Sequence, residues 1–145
     1  EEHYKRRASA FLHSFLLQTA HEHLMAEMAV RDRRINRSEA AVDQLVQYLN
    51  RNYTKRLTSQ ELAERFEMNF DYLNRVFSAM TGSSIFSYIN MLRINNAKQL
   101  IASTDLAFSE VAYLVGIQDR YYFSRLFKKL TGMSPTEYYK KSRGQ

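Results

Sequence analysis

The residues best placed to do chemistry fall on two short stretches with matching layouts. Asp71, Tyr72, Asn74 and Arg75 occupy the polar side of one helical pattern. Arg120, Tyr121, Ser124 and Arg125, followed by Lys128 and Lys129, occupy the polar side of another. From Asp119 onward seven cations stand against two carboxylates, which is most of the chain's net charge of +6. A solvated basic face is the plain reading of such an excess. Its coincidence with the second polar helix face favours phosphate contact. Catalytic chemistry has no comparable signature: there is no nucleophile–base pair, no Gly-rich phosphate loop and no metal-ligand set. His3, His13, His21 and His23 gather near the start, but on a helix His21 and His23 diverge by roughly 200° and do not converge on an ion. With no cysteine, disulfides and thiolate metal sites are excluded. No cofactor is expected.

These side chains must be positioned by helices. Gly is scarce and the only proline is Pro135, which suits an all-helical chain of 145 residues, one domain or two small ones. No apolar run approaches the ~20 residues of a membrane span, so no membrane partner is expected. The chain opens on Glu1, without a signal peptide, and reads as a cytoplasmic fragment of a longer protein.

The stretch from Ser83 to Ser103 reads as one continuous helix of roughly 30 Å. Ile85, Ile89 and Leu92 form its apolar side, and Ala97, Leu100 and Ile101 are read as continuing it. On either side of it the sequence repeats itself. Glu61-Leu62-Ala63, Leu73, Asn74-Arg75, Phe77 and Thr81-Gly82 precede it. Glu110-Val111-Ala112, Phe123, Ser124-Arg125, Phe127 and Thr131-Gly132 follow. The first match is displaced by 49 positions and the later ones by 50, so one copy carries an extra residue between its paired helices. Each copy is a short helix, a turn and a second helix, the helix-turn-helix outline.

Local signals place the remaining boundaries. Residues 1–34 form a long amphipathic helix with an apolar patch at Phe11, Leu12, Phe15, Leu16, Leu24, Met25 and Met28. Such a helix packs either on the rest of its own chain or on another copy or domain. Arg31-Asp32-Arg33-Arg34 reads as a hinge, after which Ser38 caps a helix ending at Asn52 with Val42, Leu45, Val46 and Leu49 inward. Thr58 and Glu61 form a capping box. Glu67-Met68 makes the first turn, and Asn69 caps a helix whose inward residues are Leu73, Val76, Phe77 and Met80. In the second copy Ser109 is the expected cap, Gly116 the turn and Asp119 the next cap. Phe123, Phe127 and Leu130 are read as inward, and Ser134-Pro135 opens a last helix.

The text LAFSEVAYLVGIQDRYYFSRLFKKLTGMSPTEYYK resembles the C-terminal signature of the AraC/XylS family of bacterial transcription regulators. The matching residues are Glu110-Val111-Ala112, Gly116, Asp119, Tyr122-Phe123, Arg125, Phe127-Lys128, Gly132, Ser134-Pro135 and Tyr138. Arg93, Ala97, Leu100 and Ile101 match the family's linker-helix pattern, and the resemblance runs from about Ser38 to Arg143. Three positions depart from it: Ile117 replaces the usual Phe, Tyr121 stands where a small Ser is common, and Glu67 replaces the frequent turn Gly of the first unit.

The resemblance implies an all-α fold of two helix-turn-helix subdomains, 37–82 and 104–145, joined by a linker helix, 83–103, and preceded by a helical linker or dimerisation segment, 1–36. It implies a sequence-specific transcription regulator, bacterial and of the activator kind, with both recognition helices on one face of duplex DNA. The first would present Asn69, Asp71, Tyr72, Asn74 and Arg75. The second would present Arg120, Tyr121, Tyr122, Ser124 and Arg125, with Lys128 and Lys129 on phosphates. Arg pairs bidentately with guanine and Asn with adenine, while Tyr and Ser reach phosphates or thymine methyls. The alternatives are internal salt bridges for Arg75 and Arg125, packing for Tyr122, and a helix N-terminal charge for Asp71. RNA polymerase and a second copy of the chain, through the N-terminal helix, are the implied protein partners. The family's usual sensor, cupin-like or a receiver, would lie upstream. The competing functional class is a helical module that binds protein or RNA.

Overall fold

A computed structural model describes residues 2–144, with side chains from residue 12 onward. His3 and Phe11 therefore lie outside the described side chains. Among the described residues there are seven helices and no strand: α1 Glu2–Asn52, α2 Ser59–Phe66, α3 Phe70–Thr81, α4 Ile85–Ser103, α5 Phe108–Leu114, α6 Arg120–Thr131 and α7 Pro135–Ser142. The chain divides into two compact units, Glu1–Ala40 and Ala41–Gln145.

Helix α1 differs from expectation. It runs unbroken through Arg31–Arg34, and Ser38 lies inside it rather than at its start. The physical reason is that Arg is a good helix former and no Gly or Pro interrupts the run, so a charged cluster alone does not break it. In the first unit Leu12, Phe15, Leu16, Leu24, Met25 and Met28 are all exposed.

The second unit holds two hydrophobic cores. The first joins Val42, Leu45 and Leu49 of α1 to Leu62, Leu73, Phe77, Ile85 and Ile89. The second joins Ile94, Ala97 and Ile101 to Val111, Ala112, Val115, Ile117, Phe123, Leu126 and Phe127. Helix α4 feeds both, and here the expectation of a single apolar side is corrected. At 100° per residue the centre of the Ile94–Ala97–Ile101 stripe stands roughly 130° around the helix from that of Ile85 and Ile89. The linker therefore buries nearly opposite faces in two cores. Met80 and Leu130, expected inward, are 46% and 48% exposed, while Leu126 is 8% exposed and takes part in the second core.

The duplication reaches individual hydrogen bonds. Thr81 Oγ1 donates to Phe77 O at 2.8 Å and accepts from Ser83 N. Thr131 Oγ1 donates to Phe127 O at 2.7 Å and accepts from Met133 N. Thr58 and Glu61 make the expected capping box on α2, and Ser134 with Glu137 makes another on α7, with Pro135 in the first turn. Helix α5 begins at Phe108, within the expected start, but Ser109 is not its cap. Ala107 has no acceptor to offer, so only the reciprocal half of a box forms, with Ala107 N donating to Glu110 Oε2 at 2.8 Å.

Candidate nucleic-acid interface

The two second helices, α3 and α6, are positioned alike. Leu73 and Phe77 anchor α3 in the first core, and Phe123 and Phe127 anchor α6 in the second. Each start is fixed by an Asx cap. Asn69 Oδ1 accepts from Asp71 N at 2.9 Å and Tyr72 N at 3.3 Å. Asp119 Oδ1 accepts from Tyr121 N at 2.8 Å and Tyr122 N at 3.2 Å. With one face buried and the N-terminal turn closed, the polar residues between are turned outward.

On α3, Asp71, Tyr72 and Arg75 are exposed and Asn74 is half-buried. The Arg75 guanidinium lies 5.4 Å from the centre of the Tyr72 ring, a cation–π distance that holds the two together at the surface. Asn74 is engaged elsewhere: its Oδ1 accepts from Ile85 N at 2.9 Å and so joins α3 to the first turn of α4. Bidentate pairing of Asn74 with adenine needs that oxygen, and Asn69 has committed its own to the cap.

On α6, Arg120, Tyr121, Tyr122, Ser124 and Arg125 are exposed, as are Lys128 and Lys129 in the last turn. Arg120 lies 4.8 Å from the Tyr121 ring and donates to its hydroxyl at 2.8 Å, which raises the guanidinium pKa. Tyr121, 63% exposed where a small residue is common, thus serves as the platform that fixes Arg120. Ser124 Oγ donates to Arg120 O at 3.1 Å. Tyr122 leans toward the linker and accepts from Asn90 Nδ2 at 3.4 Å. Among the described residues neither Arg75 nor Arg125 takes part in an ion pair; Arg143 pairs with Asp105, and the His23 imidazole lies 3.3 Å from Glu27.

The turns differ as the sequence difference requires. Glu67 adopts φ 51°, ψ 40°, the left-handed region, without the freedom of glycine. Gly116 stands at φ 91° in the second unit. A Cβ there would approach Thr54 O to 2.5 Å, so a side chain is barred by the neighbour as well as by the backbone. Ile117, in place of the usual Phe, is buried in the second core.

Sequence reasoning missed the role of Arg93. Its Nε donates to Tyr53 O at 2.7 Å and a terminal nitrogen donates to Lys55 O at 2.9 Å, which fastens α4 to the loop between α1 and α2. Partial burial lowers its pKa, offset in part by Tyr122. The linker motif marked Arg93, but nothing local identifies partners some forty residues away. Arg93 also lines a cleft of about 650 Å³, with Arg56, Gly116, Gln118, Asp119 and Tyr122 on its walls. Among the described residues no cluster of three His, Asp or Glu could hold a metal, and no helix is long and apolar enough to cross a membrane.

Residues 62–141 match the family described as a helix-turn-helix domain. The chain is 30% identical to YijO, an uncharacterised helix-turn-helix transcriptional regulator of Escherichia coli K12, over 95% of this chain and 56% of that protein. It is 33% identical to AdaA of Bacillus subtilis, a bifunctional transcriptional activator and DNA repair enzyme, over 67% of this chain and 46% of that one. It thus spans about half the length of these relatives. Among solved structures it superimposes on the C-terminal domain of AraT, a response regulator from Geobacillus stearothermophilus, with a TM-score of 0.67 and 31% identity over 70% of this chain and 84% of that one. The duplicated capped helices, the linker that serves two cores and these matches lead to one conclusion: the chain belongs to the AraC-type family of helix-turn-helix transcription regulators.

Proposed function

We propose that the chain is the duplex-reading part of a transcription regulator, with α3 and α6 entering successive major grooves on one side of the DNA. The observation that carries the reading is that two anchored helices expose Tyr and Arg at matching repeat positions, Tyr72 and Arg75 on α3 and Tyr122 and Arg125 on α6, with one guanidinium on each helix held by a tyrosine ring, Arg75 by Tyr72 and Arg120 by Tyr121. Arg75 and Arg125 stand at matching repeat positions and supply bidentate contacts to guanine. Asp71 accepts from cytosine, Tyr72, Tyr121, Tyr122 and Ser124 reach phosphates or methyl groups, and Lys128 and Lys129 neutralise phosphates. Asn69 and Asn74 keep their Nδ2 groups as donors while their oxygens hold the fold.

The same reading assigns the chain no catalysis and a place in the cytoplasm, where DNA and RNA polymerase are its partners. The functional segments are 1–36, 37–82, 83–103 and 104–145. The exposed apolar side chains of α1 support pairing of two copies through the first segment. A monomer at high concentration in sedimentation equilibrium would count against that pairing.

The test is selection of bound sites from random duplex DNA, followed by fluorescence anisotropy on the enriched duplex. The expected product is two half-motifs about one helical turn, ~34 Å, apart. Arg125→Ala weakens binding by roughly tenfold or more without loss of helicity. Failure to enrich any duplex, or equal affinity for single-stranded RNA, overturns the reading in favour of a module for other partners.

A further inference from the structure

We propose that Arg93 and Gly116 form a second tie between the two helix-turn-helix units, beside the linker helix, and that this tie sets the half-site spacing the chain accepts. The inference rests on the duplex-reading role but concerns a different property, the rigidity of the pair. A single helix passing between two cores holds its ends at a fixed distance, yet it leaves each small core free to rock about it. The structure closes that freedom at one place. Tyr53 and Leu57, in the loop between α1 and α2, pack on the first core. Within the same loop, the carbonyls of Tyr53 and Lys55 accept from Arg93 of α4.

On the other side, the turn between α5 and α6 comes against this loop closely enough that the missing Cβ of Gly116 would stand 2.5 Å from Thr54 O, 2.8 Å from its carbonyl carbon and 2.9 Å from its Cα. Asn90 adds a contact from α4 to Tyr122 of α6. The entry loop of the first helix-turn-helix unit, the linker and the turn of the second are therefore joined in one junction that lines the cleft. A base-pair step in the spacer shifts a half-site by ~3.4 Å and turns it by roughly 35°. Only a stiff frame converts such a step into a loss of affinity. Arg93 acts as a positioning residue: it touches no base in this reading, and it determines which spacing the readers can span.

The chain has no cysteine, so two introduced ones label cleanly. Ala79→Cys on α3 and Thr136→Cys on α7, both at exposed positions, place spin labels on the first and second units. Pulsed electron resonance on the full chain then gives one narrow distance. Arg93→Met broadens it at unchanged helicity, Arg93→Lys keeps it narrower, and Gly116→Ala, which pushes instead of releasing, moves its centre. On duplexes whose half-motifs are set one or two base pairs wider or narrower, Arg93→Met lowers the preference for the best spacing by about tenfold or more, since even one hydrogen bond to a charged group is of that size. A distance distribution and a spacing preference both unchanged in Arg93→Met overturn the proposal. If the unaltered chain binds no duplex, the functional reading fails, and the distances alone decide whether the tie exists. Should Arg93→Met unfold, an unmoved distance in Gly116→Ala is the result that sinks it.

Discussion

Replacing Glu67 by glycine makes the first helix-turn-helix unit more stable. Glu67 holds φ 51° and ψ 40° at the end of α2, and its N–H donates back to Glu64 O at 3.3 Å. The left-handed conformation costs an L-residue about 1–2 kcal/mol. Glycine removes that cost but loses about 0.5–1 kcal/mol more conformational entropy on folding. Among the described residues the exposed Glu67 side chain makes no hydrogen bond or ion pair that the substitution would remove. The net gain is then about 0.5–1 kcal/mol, which for a chain of this size raises the melting temperature by roughly 2–5 °C. Circular dichroism at 222 nm during heating measures it, with urea unfolding to confirm an unchanged slope. The reverse change at the equivalent position, Gly116→Ala, combines the same backbone penalty with the collision against Thr54 and lowers stability by more than Glu67→Gly raises it. A Glu67→Gly protein that melts lower than the parent refutes the reasoning. It would mean that the glutamate makes up for its backbone elsewhere, or that the turn is not left-handed.

The two cores should respond alike to truncation. Phe77→Ala and Phe127→Ala each remove a fully buried ring and destabilise by about 3–5 kcal/mol, measured by chemical unfolding; a cost under 1 kcal/mol in either would show that core to be loosely packed. Lys128→Gln with Lys129→Gln should reduce the slope of log affinity against log salt by about 1.8 on duplex DNA, whereas an unchanged slope removes both from the phosphate contacts. Glu137 has its pKa lowered by the Ser134 backbone N–H, then by the Ser134 side chain and Lys128. Its folded value is below its unfolded one, so its contribution is complete above the unfolded pKa and is lost as pH falls through the folded value. Glu137→Gln flattens that part of the acid stability profile, and an identical acid profile would show that the capping box carries no pH dependence.

The repeat was legible because it is written in residue types with strong local meaning. Asn69 and Asp119 cap, Gly82 and Gly132 stop, and Phe77 and Phe127 fill, so the offset between copies reads directly as duplicated structure. The face of α4 was not legible. Isoleucine, leucine and alanine look the same whichever core they enter, and only the structure reveals that Ile94 begins a stripe on the other side from Ile89. Ser38 and Ser109 were read as caps from their type alone; one lies inside a helix that nothing interrupts, and the other lost the role to the backbone and Glu110. Met80 and Leu130 fit the helical period of an inward residue, yet the cores close before reaching them.

The candidate site was legible as a set of positions but not as a set of free groups, and that difference bears on what the surface can recognise. Sequence assigns Asn69 and Asn74 the paired donor and acceptor that adenine needs. The fold takes the acceptor of each, one for the α3 cap and one for the start of α4. On α6 the corresponding positions are Asp119, also a cap, and Ser124, whose hydroxyl proton goes to Arg120 O. The same positions in both copies thus support backbone, and the guanidinium groups remain as the outward donors. Arg75 and Arg120 are further steadied by tyrosine rings, which reduces the side-chain freedom lost on binding. On the proposed reading, recognition then rests on guanidinium groups held by aromatic neighbours, and the asparagines act by aiming the helix that carries them. Replacing Asn74 by alanine would in that case disturb binding through the join of α3 to α4, equally on every sequence, while loss of Arg75 would relax selectivity at one base pair.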